Sequence, residues 1–394
     1  MPMLFKALSF ATLLAVASSA RAGLTQDEAD DYTAKVWTKY AKRIVAKTSA
    51  ELEDGAIEVG DTILRFSTLQ FTDGKGEPCT LPCEAADGEP QPLFISLHGG
   101  GSGPAKMNDQ QWQNQIALGK SYAPQSGLYL APRAPTDTWD CWHSAAVDPL
   151  LERLIRALVA TGTVDANRVY LMGYSAGGDG VYALAPRLAD RFAAASMMAG
   201  HPNGIQIDGL RNLPFSIQVG AKDNAYDRAN VARQYGAKLD RLEKDEPEGY
   251  THFTTLHKDK PHWMDREDRI AVPWMEQYTR TIAVDRIVWR QVGIVRHHFY
   301  WLAIPEDEGE LDELITADLD EQTITLSGPS DRNVIVHLND EIVDLDRPIR
   351  IEADDGSVLF KGKVERMEEV ITQTINAYGD PDMIFTAQVE VTLP

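Results

Sequence analysis

The sequence predicts an α/β fold: a doubly wound, mostly parallel sheet, followed by a smaller C-terminal domain that is mostly β. Three observations carry this expectation. Short apolar runs at 93–97, 128–131, 169–172, 193–198 and 215–219 follow one another with helical stretches between them, as strands buried on both faces of a parallel sheet do. One crossover helix between two of these runs is legible from end to end. Beyond about Asp285 the texture changes to short β-type runs separated by Asp, Asn and Gly.

At the start of the chain, Lys6 precedes a short apolar stretch over 7–20, and Ala20, Arg21 and Ala22 offer an A-x-A cleavage site before Gly23. That is the pattern of an export signal. Residues 1–22 are therefore expected to be a signal peptide, and the mature protein to be exported, periplasmic or extracellular. The run is too short, and too diluted by small residues, to span a bilayer comfortably. No later segment is long and apolar enough either, so no stable membrane insertion of the mature chain is expected. Residues 25–50 read as an amphipathic helix on the outside, and 61–71 alternate loosely, as an edge strand does. Residues 72–91 collect Gly, Pro, Asp and Glu and read as loop. An oxidising compartment permits one disulfide among Cys79, Cys83 and Cys141. The close pair Cys79 and Cys83 can staple the loop, and three free thiols are the alternative.

The crossover helix begins with Asp148, a good N-cap, and Pro149 at the first helical position. Leu150, Leu151, Leu154, Ile155 and Leu158 form one apolar stripe, and Gly162 can close the end. A strand at 168–172 follows directly. The chain thus divides into a catalytic domain with an N-terminal extension, 23–284, and a β-rich accessory domain, 285–394. In the second, strands are expected at 324–326, 334–336, 349–351, 358–364 and 383–391, with a helix at 365–377. The apolar, aromatic segments 288–290 and 299–302 are placed to dock it on the first. The formal net charge of -21 repels nucleic acid and anionic lipid, so neither is an expected partner.

The chemistry centres on Gly173, Tyr174, Ser175, Ala176 and Gly177, a G-x-S-x-G pattern between a buried strand and a small-residue helical segment. The glycines permit the sharp turn that lifts a serine oxygen clear of a sheet. The run His98, Gly99, Gly100, Gly101 directly follows the apolar run ending at Leu97. With the amide of Ala176, those of Gly99 and Gly100 can form an oxyanion hole, and His98 itself reads as structural. An acid should follow the serine, and a histidine should come last. Asp223 lies just past the run 215–219, with Asp227 as its rival. His262 sits in the loop after the next strand, whereas His98, His143 and His201 come too early, and His252 and His257 lie within or at the end of that strand. The expected triad is Ser175, His262 and Asp223. Trp139, Trp142, His143 and His201 follow strands at the same sheet edge, where they can line a pocket or serve as core and turn residues.

Together these residues resemble the α/β-hydrolase family, in its dienelactone-hydrolase, carboxylesterase and prolyl-oligopeptidase-like branch, over roughly residues 92–281. Residues 131–135, 198–203 and the β-type tail are similar to exported hydrolases described as esterases or peptidases. The resemblance implies nucleophilic hydrolysis of a small-molecule or polymer-derived acyl compound by a serine hydrolase, with no cofactor and no metal. Ester hydrolysis is the first expectation. A serine peptidase using the same triad is the second, and a binding protein on an inactive scaffold the third. Because every expected reacting group precedes Asp285, a chain lacking residues 316–394 is expected to keep turnover on a small ester while losing stability or solubility.

Overall fold

The computed structural model describes residues 23–85 and 87–394; the expected signal peptide, 1–22, lies outside the described residues. In chain order the elements are α1 (Gln26–Glu53), β1 (Ala56–Val59), β2 (Thr62–Thr72), β3 (Lys75–Cys79), β4 (Gln91–Leu97), α2 (Ala105–Tyr122) and β5 (Ser126–Arg133). Then come α3 (Val147–Ala160), β6 (Val164–Tyr174), α4 (Ala176–Arg187), β7 (Ala194–Met198), β8 (Phe215–Gly220), α5 (Arg228–Asp245), β9 (His252–His257) and α6 (Ala271–Met275). The remainder holds β10 (Arg286–Arg290), β11 (His298–Phe299), β12 (Leu302–Ala303), β13 (Leu314–Asp320), β14 (Thr323–Ser327), β15 (Asn333–Leu338), β16 (Ile349–Ala353), β17 (Val358–Gly362), α7 (Glu368–Tyr378) and β18 (Ala387–Thr392).

The first nine strands form one sheet in the order β1-β2-β5-β4-β6-β7-β8-β9, with β3 pairing to β2. From β5 to β9 every pairing is parallel. After β4 the chain steps to β5 on one side and then returns to β6 on the other, so the winding reverses at β4. In an open α/β sheet a crevice forms at such a reversal, at the C-terminal strand ends. Here that edge carries the turn after β4 and the turn after β6, which contain His98 to Gly101 and Ser175.

Four local expectations change. The strand expected at the edge, β2, is internal: residues 62–65 pair with β1, 68–72 with β3, and the opposite side with β5. The expected loop 72–91 contains β3, an extra strand closed by the Cys79–Cys83 disulfide, while Cys141 is free and buried. Asp148 does not cap α3. Ala146 precedes the helix without a side-chain bond, and Asp148, inside the first turn, is buried against Arg187 at 2.5 Å. A buried guanidinium needs a carboxylate more than a helix end needs a cap, since an unpaired buried charge costs several kcal/mol and a cap about 1. The strand at 168–172 is the middle of the longer β6. The apolar stripe of α3 is fully buried as expected.

Beyond residue 285 lie a five-stranded sheet, β10-β13-β14-β16-β17, and a four-stranded one, β11-β12-β15-β18. Helix α1 bridges the two parts of the chain. Its Glu51 meets Arg153 of α3 at 2.7 Å, and its Tyr32 and Arg43 bond Thr372 and Asn376 of α7. One apolar cluster runs from Leu93 and Leu171 of the large sheet through Ile287, Trp289 and Trp301 to Val336 and Val389. Ion pairs cross the same boundary: the buried Arg280 and Arg191 both reach the buried Asp380, at 2.7 and 3.4 Å, and Arg296 reaches the part-buried Glu152 at 2.9 Å. Among the described residues, no helix is long and apolar enough to cross a membrane.

Candidate active site

Ser175 stands between β6 and α4 at φ 57° and ψ -117°, a backbone conformation an L-residue seldom adopts. What holds it there is close packing of the turn. A Cβ on Gly173 would strike the carbonyl of Gly177, and one on Gly177 would strike that of Leu97. The Ser175 N–H donates to the Met198 carbonyl at 2.9 Å, tying the turn to β7. The strain is thus imposed by neighbours and leaves the Ser175 side chain at the start of α4, part-exposed.

Asp223 follows β8, and its carboxylate is almost wholly buried. It lies 2.6 Å from Nδ1 of His262, whose ring is 41% exposed and sits in the loop after β9. Nε2 of the same ring is 3.0 Å from the Ser175 Oγ. The tautomer that satisfies both contacts has Nδ1–H donating to Asp223 and Nε2 accepting from the serine hydroxyl. The rival Asp227 is exposed and accepts from Asn230 instead. The acid loop and the histidine loop are joined backbone to backbone, the Lys222 N–H donating to the Lys260 carbonyl at 2.8 Å.

Gly99 lies against the serine: a Cβ there would sit 3.2 Å from the Cβ of Ser175. Among the described residues, the N–H groups of Gly99, Gly100 and Ala176 have no acceptor. Free amides beside a serine oxygen are what an oxyanion requires. Gly101, by contrast, donates to Asn108 Oδ1 at 3.0 Å, and the Asn108 amide returns a bond to the Gly101 carbonyl at 2.9 Å. His98 is structural, as its sequence position suggests. Its Nδ1 meets the Gly99 carbonyl, its Nε2 accepts from the Ala134 N–H at 3.0 Å, and burial pulls its pKa down to about 4.

A cavity of about 600 Å³ opens beside Ser175 and His262. One wall is a face of α2 made of Met107, Gln111, Asn114, Leu118 and Ser121, and Trp263 and Arg266 stand in the histidine loop. None of the expected pocket residues Trp139, Trp142, His143 and His201 lines it. Trp142 is fully buried and donates its indole N–H to the His98 carbonyl at 2.8 Å, so it props the glycine loop from behind. Trp139 is 58% exposed and meets the His143 ring edge-on, and His201 is held in a turn by Asn203 and Asp179. The α2 wall had a sequence signal: positions 107, 111, 114, 118 and 121 follow helical spacing. Spacing alone does not say which face meets a cavity. Among the described residues, no group of three or more His, Cys, Asp or Glu is placed to hold a metal ion.

The chain is 28% identical over 135 residues to feruloyl esterase B of Neurospora crassa, a stretch covering 32% of this chain and 44% of that protein. It thus spans less than half the length of that relative. Among solved structures it is similar to a poly(3-hydroxybutyrate) depolymerase from Bordetella parapertussis, at 16% identity and a TM-score of 0.40, covering 61% of this chain and 94% of that one. It is also similar to a thermostable esterase, at 19% identity and a TM-score of 0.40, covering 58% and 64%. A carboxylesterase from Mesorhizobium loti matches at 15% identity and a TM-score of 0.37, covering 56% and 99%. No family model matches. By their printed names, the sequence relative and these three solved structures are esterases or a depolymerase.

Proposed function

We propose that this chain is an exported serine hydrolase that cleaves carboxylic esters through an acyl-enzyme on Ser175. The observation that carries the proposal is the unbroken contact from Asp223 to His262 to Ser175, at 2.6 and 3.0 Å, beside free backbone amides. In the proposed reaction His262 accepts the serine proton as Oγ attacks the ester carbonyl carbon. The carbonyl oxygen becomes an oxyanion bound by the amides of Ala176 and of Gly99 or Gly100, each such donor being worth about 3–4 kcal/mol. Collapse expels the alcohol, which takes its proton from the His262 imidazolium. Water, deprotonated by the same ring, then releases the acid. Asp223 holds the ring and stabilises its charged form.

The esterase name of the sequence relative supports ester over amide as the bond cleaved. The cavity beside Ser175 supports an acyl group, free or part of a polymer, that is larger than acetyl. Residues 285–394 are proposed as a β-rich domain that contributes no reacting group. Nucleic acid is not a proposed partner, given the charge of -21. The test is a series of p-nitrophenyl esters of graded acyl length run beside aminoacyl nitroanilides, with Ser175→Ala as control. Ester turnover that disappears in a folded Ser175→Ala variant is expected. Nitroanilide turnover in excess of ester turnover would make the protein a peptidase, and a Ser175→Ala variant near wild-type activity would end the nucleophile assignment.

A further inference from the structure

We propose that Tyr174 is a positioning residue, its phenol fixing the backbone of the histidine loop so that the His262 ring stays between Ser175 and Asp223. The proposal rests on the assignment of Ser175 and His262 as nucleophile and base. Tyr174 immediately precedes the serine at the end of β6. Its hydroxyl donates to the backbone carbonyl of His262 at 2.6 Å and accepts the N–H of Met264 at 3.2 Å. One oxygen thus closes both its donor and its acceptor capacity on the loop that carries the ring. The Tyr174 ring also meets the imidazole edge-on, with centroids 5.9 Å apart, and leans on Trp263 at 5.8 Å.

The loop needs such a tie. Asp259, Asp265 and Arg266 all hold left-handed backbone angles, φ 62°, 54° and 68°, which non-glycine residues disfavour. Upstream, the chain is fixed to the acid strand: Lys260 accepts from the Lys222 N–H, and the carbonyl of Pro261 packs so closely on Gly220 that no Cβ would fit there. Downstream, the buried Asp268 accepts from the Tyr122 hydroxyl of α2 at 2.8 Å. Between these anchors the phenol holds His262 itself. Because the anchor is the residue next to Ser175, nucleophile and base are referred to the same short stretch of β6. Burial and the nearby Asp268 carboxylate push the phenol well above its ordinary pKa, so it remains a donor across neutral and moderately alkaline pH.

The experiment compares wild type with Tyr174→Phe, which loses only the hydroxyl, and Tyr174→Leu, which also loses the ring. For each, kcat and KM on a p-nitrophenyl ester, the rate of fluorophosphonate labelling of Ser175, and the thermal midpoint are measured. Tyr174→Phe is expected to fold, to lower kcat about tenfold with KM within about twofold, and to slow labelling in parallel. An ångström of misplacement costs up to about 10² in rate, and the remaining anchors limit the loss. A merely structural hydroxyl would lower the midpoint while kcat per folded molecule stayed put, and that result overturns the proposal. It falls equally if Tyr174→Phe matches wild type while Tyr174→Leu is impaired, because the ring is then what matters. It falls also if Tyr174→Phe does not fold. A wild type that neither turns over esters nor labels at Ser175 removes the assignment of the nucleophile, and this proposal with it. An active wild type alongside an undiminished Phe variant removes this proposal alone.

Discussion

Replacing Asp223 by Asn changes one atom and tests the acid assignment more sharply than any truncation of the side chain. The carboxylate is almost fully buried, and its Oδ2 takes the Nδ1–H of His262 at 2.6 Å. An Asn amide that turns its NH₂ toward Nδ1 favours the other tautomer, which presents N–H and not a lone pair to Ser175. The serine then has no base. Loss of the corresponding tautomer control in a serine triad costs about 10⁴ in kcat, or about 5.4 kcal/mol of barrier. Asp227→Asn is the matched control, because that carboxylate is exposed and touches Asn230. A surface change of this kind stays within about 0.5 kcal/mol, a factor of about two in rate if all of it reached the barrier. Initial rates on a saturating p-nitrophenyl ester, with circular dichroism to confirm that both variants fold, give the comparison. Equal rates for the two variants, or a greater loss in Asp227→Asn, would refute the assignment of Asp223.

The buried imidazoles His98 and His337 are both held neutral with pKa values of about 4, chiefly by burial. Unfolded chains take up these protons near 6.5 and the native protein only near 4, so stability is lost as pH falls through that window, by about 3 kcal/mol for each ring. Asp268, raised by burial to about 6, works in the opposite sense below pH 6 and offsets about one of the two. His337→Gln should therefore flatten the fall in thermal midpoint between pH 6.5 and 4.5, and an unchanged slope would show that this ring does not titrate as placed. Deleting residues 316–394 is a separate test, and the ion pairs across the boundary revise the expectation of retained turnover. It removes Asp380 from the buried Arg280 and Arg191, and an uncompensated buried charge costs about 3–5 kcal/mol against a usual total stability of about 5–15. The shortened chain should not fold or label at Ser175, and normal labelling of a soluble truncated protein would contradict this.

Much of the fold was legible because parallel strands buried on both faces must be apolar throughout, which marks β4 to β8 without help from neighbours. The strands that were misjudged depend on partners. β3 carries Gly76 and Pro78, poor strand formers, and exists because β2 offers it five residues of pairing and a disulfide closes its end. β2 alternates as a half-exposed strand does, yet β1 and β3 divide its outer side between them. Asp148 and Pro149 spell a helix start, but the nearest buried guanidinium claimed the carboxylate. In each case the local rule lost to a pairing made over a long sequence distance.

The site shows the same division at closer range. The juxtaposition of Ser175, Gly99, Asp223 and His262 was legible because the chemistry proposed for them demands a type and an order along the chain. The aromatic and polar residues around them carry no such demand. Trp142, read as pocket or core, gives its N–H to the carbonyl of His98, and the His98 ring in turn is spent on Gly99 and Ala134. Tyr174 occupies a position that the motif leaves open, and its hydroxyl reaches a loop about ninety residues away in sequence. What separates a side chain that meets substrate from one that builds the loop meeting it is whether its polar atoms are already satisfied inside the fold. By that criterion Gln111, Ser121 and Arg266 face the cavity without a side-chain hydrogen bond to any described residue, whereas Tyr174, which also lines it, and Trp142, which does not, have spent theirs on the turns that carry His262 and Gly99.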